Sequence, residues 1–301
     1  MASNILLIGG SGFVSGTLAR TALARGHSVW TVTRGRRPAM QGAQCLIADR
    51  KDEAAFFKAV RKTDMQWDLV VDCIGYRPED TLQDIEILSD RACHLVFIST
   101  DFTFDPMHRR LPQNEETEYY ATSGYGGNKR RCEEILVNAD CKDMHWTILR
   151  PCHIYGPGSL LGCLPAHGRD GQLIETMRAE QPLALVGGGH FLQQPILASD
   201  LAALCLSCLD NDQTHEQIFC AAGPDIIESR TYYQIVADHL DVSLTVEELS
   251  VDTYLREHPS AAPFLCHRIY DMRKLQQSGA AVPNTPLVDG LREHVAHLLD
   301  K

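Results

Sequence analysis

A tyrosine and a lysine four residues apart, Tyr125 and Lys129, stand in the run Tyr-Gly-Gly-Asn-Lys at the start of a helical pattern. The i, i+4 spacing puts the phenol and the ammonium on one helical face, about 5 to 6 Å apart at Cβ. A free tyrosine titrates near pH 10, so a base working near neutrality needs its anion stabilised, and an adjacent ammonium does that. Tyr125 is therefore the candidate acid/base, exchanging a proton with a substrate hydroxyl or carbonyl oxygen, and Lys129 is its electrostatic partner. Earlier in the chain Ser99, Thr100 and Asp101 follow the apolar run Leu-Val-Phe-Ile. Ligands of parallel sheets lie beyond the carboxyl ends of the strands. Thr100 is thus placed to bond the reacting oxygen, with Ser99 the fallback hydroxyl and Asp101 a further substrate contact. The plainer alternative is a Thr that serves only the turn.

A second pattern comes at the start of the chain, where Gly9 and Gly12 separate the apolar run Ile-Leu-Leu-Ile from a helical pattern opening at Phe13 and Val14. Glycines there permit a tight turn and close approach of the backbone to a pyrophosphate, which then rests on the N–H groups and positive end of the helix. Ser15 stands where a third glycine is usual, so an ordinary glycine-rich turn remains the alternative. The run Thr33-Arg34-Gly35-Arg36-Arg37 ends the second strand without a carboxylate for a ribose 2′-hydroxyl. That favours NADP over NAD, with Arg34 at the 2′-phosphate. Asp49 follows the third apolar run, where it either holds an adenine amine or caps a helix.

These residues need a frame. Apolar runs at 5–8, 29–33, 69–72, 95–99 and 146–149 alternate with helical patterns at 13–25, 52–61, 79–91 and 123–138. Runs apolar on both faces read as buried parallel strands, and repeated βαβ units imply a doubly wound parallel sheet with helices on both sides. After Gly156 the rhythm loosens into a Pro- and Gly-rich stretch. The expected organisation is an α/β fold: residues 1–164 and 190–222 form a Rossmann-like dinucleotide-binding domain, and 165–189 with 223–301 a smaller substrate domain. The helix 199–209 and strand 218–221 return to the first domain.

Composition narrows the partners. With 28 Lys plus Arg against 39 Asp plus Glu, the formal net charge is −11, so no nucleic-acid partner is expected, because phosphate contacts need a basic face. No export signal or run of about 18 apolar residues is visible, and the expected location is the cytoplasm. There the 11 cysteines are reduced thiols. Cys205 and Cys208 have metal-like spacing but no second pair, and sit in an apolar helical run that reads as core; no metal is expected. The stripe Leu291, Val295, Leu298, Leu299 reads as helix packing.

Taken together, GGSGFVS, ISTDFTF, YGGNK, LRPCHIYGPG and the C-terminal DMRKLQQSGAAVPNTPLVDGLREHV resemble the extended short-chain dehydrogenase/reductase family, in its epimerase/dehydratase branch. The resemblance implies NAD or NADP as cofactor, a Ser/Thr, Tyr, Lys set carried by Thr100, Tyr125 and Lys129, a nicotinamide wall at Pro151 and a substrate contact at His153. It also implies pairing of two copies through helices 79–91 and 123–138. ISTDFTFD is most similar to the matching segment of dTDP-4-dehydrorhamnose reductases, whereas the nucleotide-sugar 4,6-dehydratases carry Glu where Phe102 stands. A phenyl ring moves no proton, so 4,6-dehydration is disfavoured. RGRRP, ADRKD and DCIGYRPED are similar to a subgroup that includes chloroplast stem-loop RNA-binding proteins, which keeps a non-catalytic reading open. The branch's diphosphate-gripping arginine is replaced by Gln193, leaving Arg268 as the expected source of charge toward a sugar or nucleotide-sugar substrate.

Overall fold

In the computed structural model, which describes residues 2–38 and 40–300, seven parallel strands form one sheet. They are β1 (Asn4–Ile8), β2 (Ser28–Thr33), β3 (Gln44–Ile47), β4 (Leu69–Asp72), β5 (His94–Ile98), β6 (His145–Pro151) and, late in the chain, a strand at Gln217–Ala221. Ile5 through Ile8 and Leu69 through Val71 are fully buried, which is why these runs carry no polar alternation. Helices α1 (Phe13–Ala24), α2 (Glu53–Arg61), α3 (Pro78–Leu88) and α4 (Gly124–Asn138) make the crossovers. Leu18, Ala19 and Ala22 of α1 pack on one face beside Leu201, Leu204 and Cys205 of a later helix, Ala198–Ser207. Phe56, Val60, Ile87, Leu88 and Leu136 cover the other face. Each such side chain withdrawn from water contributes about 1.5–3 kcal/mol.

The strand order runs Gln217–Ala221, β6, β5, β4, β1, β2, β3. Its direction of winding reverses between β1 and β4, and the crevice beyond the carboxyl ends opens at that switch. Over it stands a second core built from Tyr155, Leu173, Met177, Leu185, Tyr232, Tyr233, Leu291 and Val295. Three two-stranded ribbons flank it; in two of them Leu183–Val186 pairs with Val246–Leu249, and Leu192–Gln193 with Ile227–Glu228. Cys205 and Cys208 are buried free thiols in the first core. Among the described residues no helix is long and apolar enough to cross a membrane.

Candidate active site

The glycine loop leaves β1 with Gly9 at φ +116° and Gly10 at φ +124°, a region that L side chains rarely adopt. A Cβ on Gly10 would also stand 2.5 Å from Thr31, so the loop lies flat on β2. Gly12 caps α1 in extended conformation, and its N–H donates to Ser15 Oγ at 3.1 Å. Ser15 is thereby accommodated in place of a third glycine: it is buried, and its hydroxyl takes the Gly12 N–H at the mouth of the helix. The first-turn N–H groups of α1 have no helical partner and face outward for an anion.

Two cavities meet over this loop, sharing Gly12, Ser15, Ile74 and Tyr76. One, of about 690 Å³, is bordered by Gly9, Arg34, Arg36, Arg37 and Asp49. Arg37 Nη1 is tied to Ser11 O at 2.7 Å, and Asp49 accepts from the Lys51 N–H at 3.1 Å. The other, of about 600 Å³, is bordered by Phe13, Val14, Thr100, Tyr125, Lys129, Pro151 and His153. A backbone cradle with cations at one end and an acid/base pair at the other fits a nicotinamide dinucleotide.

Thr100 stands two residues beyond β5, its Oγ1 accepting from the Phe102 N–H at 3.3 Å, and borders the same cavity as the Tyr125 phenol. Gly126 brings α4 close to the turn after β5, and Gly127 lets the segment before the helix fold against its first turn. A Cβ on Gly126 would lie 2.0 Å from Phe102 O, and one on Gly127 2.6 Å from the Thr122 carbonyl carbon. Burial and the neighbouring Tyr76 push the Tyr125 phenol up to about 12, with the nearby Thr100 hydroxyl opposing the rise. Lys129 lies one turn deeper and is buried; its Nζ donates to Ile98 O at 2.5 Å and sits 4.5 Å from the centre of the Phe97 ring. The expectation that Lys129 lowers the Tyr125 pKa is therefore not met in this arrangement. Burial lowers the lysine's own pKa, with Asp72 pulling it back up.

Three expected substrate contacts are spoken for by other groups. Ser99 borders the crevice, but its hydroxyl donates to Glu133 Oε1 at 2.6 Å, inside a buried pair in which Arg150 grips Glu133 at 2.9 and 2.7 Å. Asp101 also borders it, yet its carboxylate accepts from Arg268, from Arg109 at 3.2 Å and from Tyr270. Those cations hold its pKa down despite burial, so it is no proton donor. Arg268 is buried with Nη2 on Pro263 O at 2.6 Å and does not reach the cavity, which corrects the expectation that it meets substrate. A lone Arg in sequence gives no sign of a carboxylate 167 residues away.

His153 does border the cavity, and burial with the Arg169 charge holds its pKa at about 4, so it is neutral. Arg169 and Tyr76 border it as well and escaped sequence reasoning, because Arg169 stands in a loop without periodicity. Arg50 borders the larger cavity and is clamped by Asp72 at 3.0 Å and Asp84 at 2.7 Å. Burial and the neighbouring Asp72 push the Asp84 carboxyl above the usual carboxylate range, against the pull of Arg50.

Residues 5–222 match the sequence profile of the NAD dependent epimerase/dehydratase family. The chain belongs to this family. It is 26% identical over 240 residues to the chloroplast stem-loop binding protein of 41 kDa b of Arabidopsis thaliana, covering 73% of this chain and 58% of that protein. Over 155 residues it is 28% identical to the dTDP-4-dehydrorhamnose reductase of Mycolicibacterium smegmatis, covering 46% and 43%. The matches thus span less than two thirds of either curated relative. The fold is similar to that of the Thermus thermophilus UDP-glucose 4-epimerase, solved in complex with NAD, at 19% identity, TM-score 0.76 and coverage of 98% and 99%.

Proposed function

We propose that this family member reduces a ketone on a sugar or nucleotide-sugar, using NADPH in preference to NADH. The observation that carries this reading is that Tyr125 and Thr100 border one cavity with the glycine loop and Lys129, the phenol being kept protonated at neutral pH. Tyr125 Oη then gives its proton to a carbonyl oxygen that Thr100 orients. When bound, the nicotinamide dinucleotide supplies the hydride. Gly9, Gly12, Phe13 and Val14 hold its phosphates, Asp49 its adenine, Arg34 its 2′-phosphate, and Lys129 and Pro151 its nicotinamide half.

Residues 1–164 and 190–222 serve the dinucleotide in this reading, and 165–189 with 223–301 the substrate. With Gln193 and Arg268 both buried, Arg169 and the neutral His153 are the polar groups left for a phosphate or sugar. Two copies pair through α3 and α4, whose Leu82 and Val137 are exposed. The test is NADPH consumption against a panel of free, UDP- and dTDP-linked keto-sugars, with the nucleotide released from denatured protein assayed alongside. An empty site and turnover lost in Tyr125→Phe support reduction. Stoichiometric bound NAD supports an epimerase instead, the reading favoured by the family name and by the NAD complex of the Thermus enzyme. Salt-dependent binding of structured RNA without turnover favours the function named in the Arabidopsis relative.

A further inference from the structure

At the opposite, amino-terminal edge of the sheet, three histidines form a row across neighbouring strands. His94 opens β5 in register with His145 of β6, and the Glu216 N–H bonds Trp146 O, which sets His215 and Glu216 beside them. His94 is buried, with its two nitrogens on Cys208 O at 3.0 Å and Thr147 Oγ1 at 2.8 Å. The other two are open to water, their rings stacked 3.8 Å apart at 11°. One nitrogen of each, together with a Glu216 oxygen, lie within 4.8 Å of one another. Side-chain exposures of 48%, 17% and 51% for His145, His215 and Glu216 leave a path from solvent.

We propose that His145, His215 and Glu216 bind a divalent first-row transition ion such as Zn²⁺. Two imidazoles and one carboxylate are a donor set that suits these ions, with remaining positions for water. Glu216 Oε1 lies 2.9 Å from His145 Nδ1, so one proton bridges them, and the ion takes the place of that proton. Asp212 Oδ1, 3.9 Å from His215 Nε2, adds negative charge at the rim. Backbone bonds between adjacent strands fix the three Cα positions in advance, and rotation of the exposed side chains draws the donors to the roughly 2.1 Å that such ions require. Bound there, the ion clasps the edge strand Gln217–Ala221 to β6.

The test is a Co²⁺ titration of the untagged full chain, followed by the melting temperature in Zn²⁺. The expected result is one equivalent bound, with visible d–d bands, no thiolate charge-transfer band and a raised melting temperature. His145→Gln and His215→Ala should each weaken binding by at least about tenfold. Circular dichroism verifies that both surface variants stay folded. Unchanged binding in both folded variants, a thiolate band that vanishes in Cys93→Ser, or no binding at millimolar ion would overturn the proposal.

Discussion

Tyr125 and His94 illustrate how environment assigns a role to a side chain. Tyr125→Phe keeps the ring and removes only the proton, so turnover should fall about 10²- to 10⁴-fold while NADPH affinity stays within about twofold. Steady-state kinetics beside a fluorescence titration check this, and parallel losses in both would contradict it. His94 is held at about 4 by burial and the neighbouring His215. Between that value and its ordinary 6.5 the unfolded chain binds a proton that the folded chain refuses. Stability from this group is therefore complete above pH 6.5 and is lost as pH falls toward 4, on the order of 3 kcal/mol. Urea denaturation at pH 7 and 4.5 reads the loss, and His94→Gln should flatten it.

At the scale of elements, Leu136 anchors α4 in the core, and Gly126 lets its first turn close on the turn after β5. Gly126→Ala must push the helix off Phe102 O, parting Tyr125 from Thr100. We expect kcat to drop at least tenfold with a smaller change in dinucleotide affinity, measured as for Tyr125→Phe. The alternation of strands and helices, the glycine loop and the Tyr-Lys pair were all readable in the sequence, since each depends on spacing within one element. Gly126 could be seen but not explained, because the carbonyl it avoids belongs to Phe102, in a turn that folds back from the end of β5. The same limit hid the fate of Ser99, Asp101 and Arg268. Their types suit substrate contacts, and only long-range pairing with Glu133, Arg109 and Tyr270 shows them occupied. His145 and His215 likewise meet across strands that are remote in sequence.

For the whole molecule, the tie between the sheet and the C-terminal segment is a buried charge cluster. One carboxylate, Asp101, faces two guanidiniums, Arg109 and Arg268. Asp101→Asn leaves both cations uncompensated and should cost about 3–5 kcal/mol. Arg268→Met leaves a balanced pair and should cost less. Urea midpoints of the two variants test that order, and equal losses would contradict the charge count. The crevice between the two cores carries the functional reading, and equilibrium titration of the full chain with NADPH and NADH, followed by nicotinamide fluorescence, tests it most directly. We expect one saturable site per chain, tighter for NADPH, weakened by Lys129→Met and shifted toward NADH by Arg34→Ala. Absence of saturable binding by either nucleotide would contradict it.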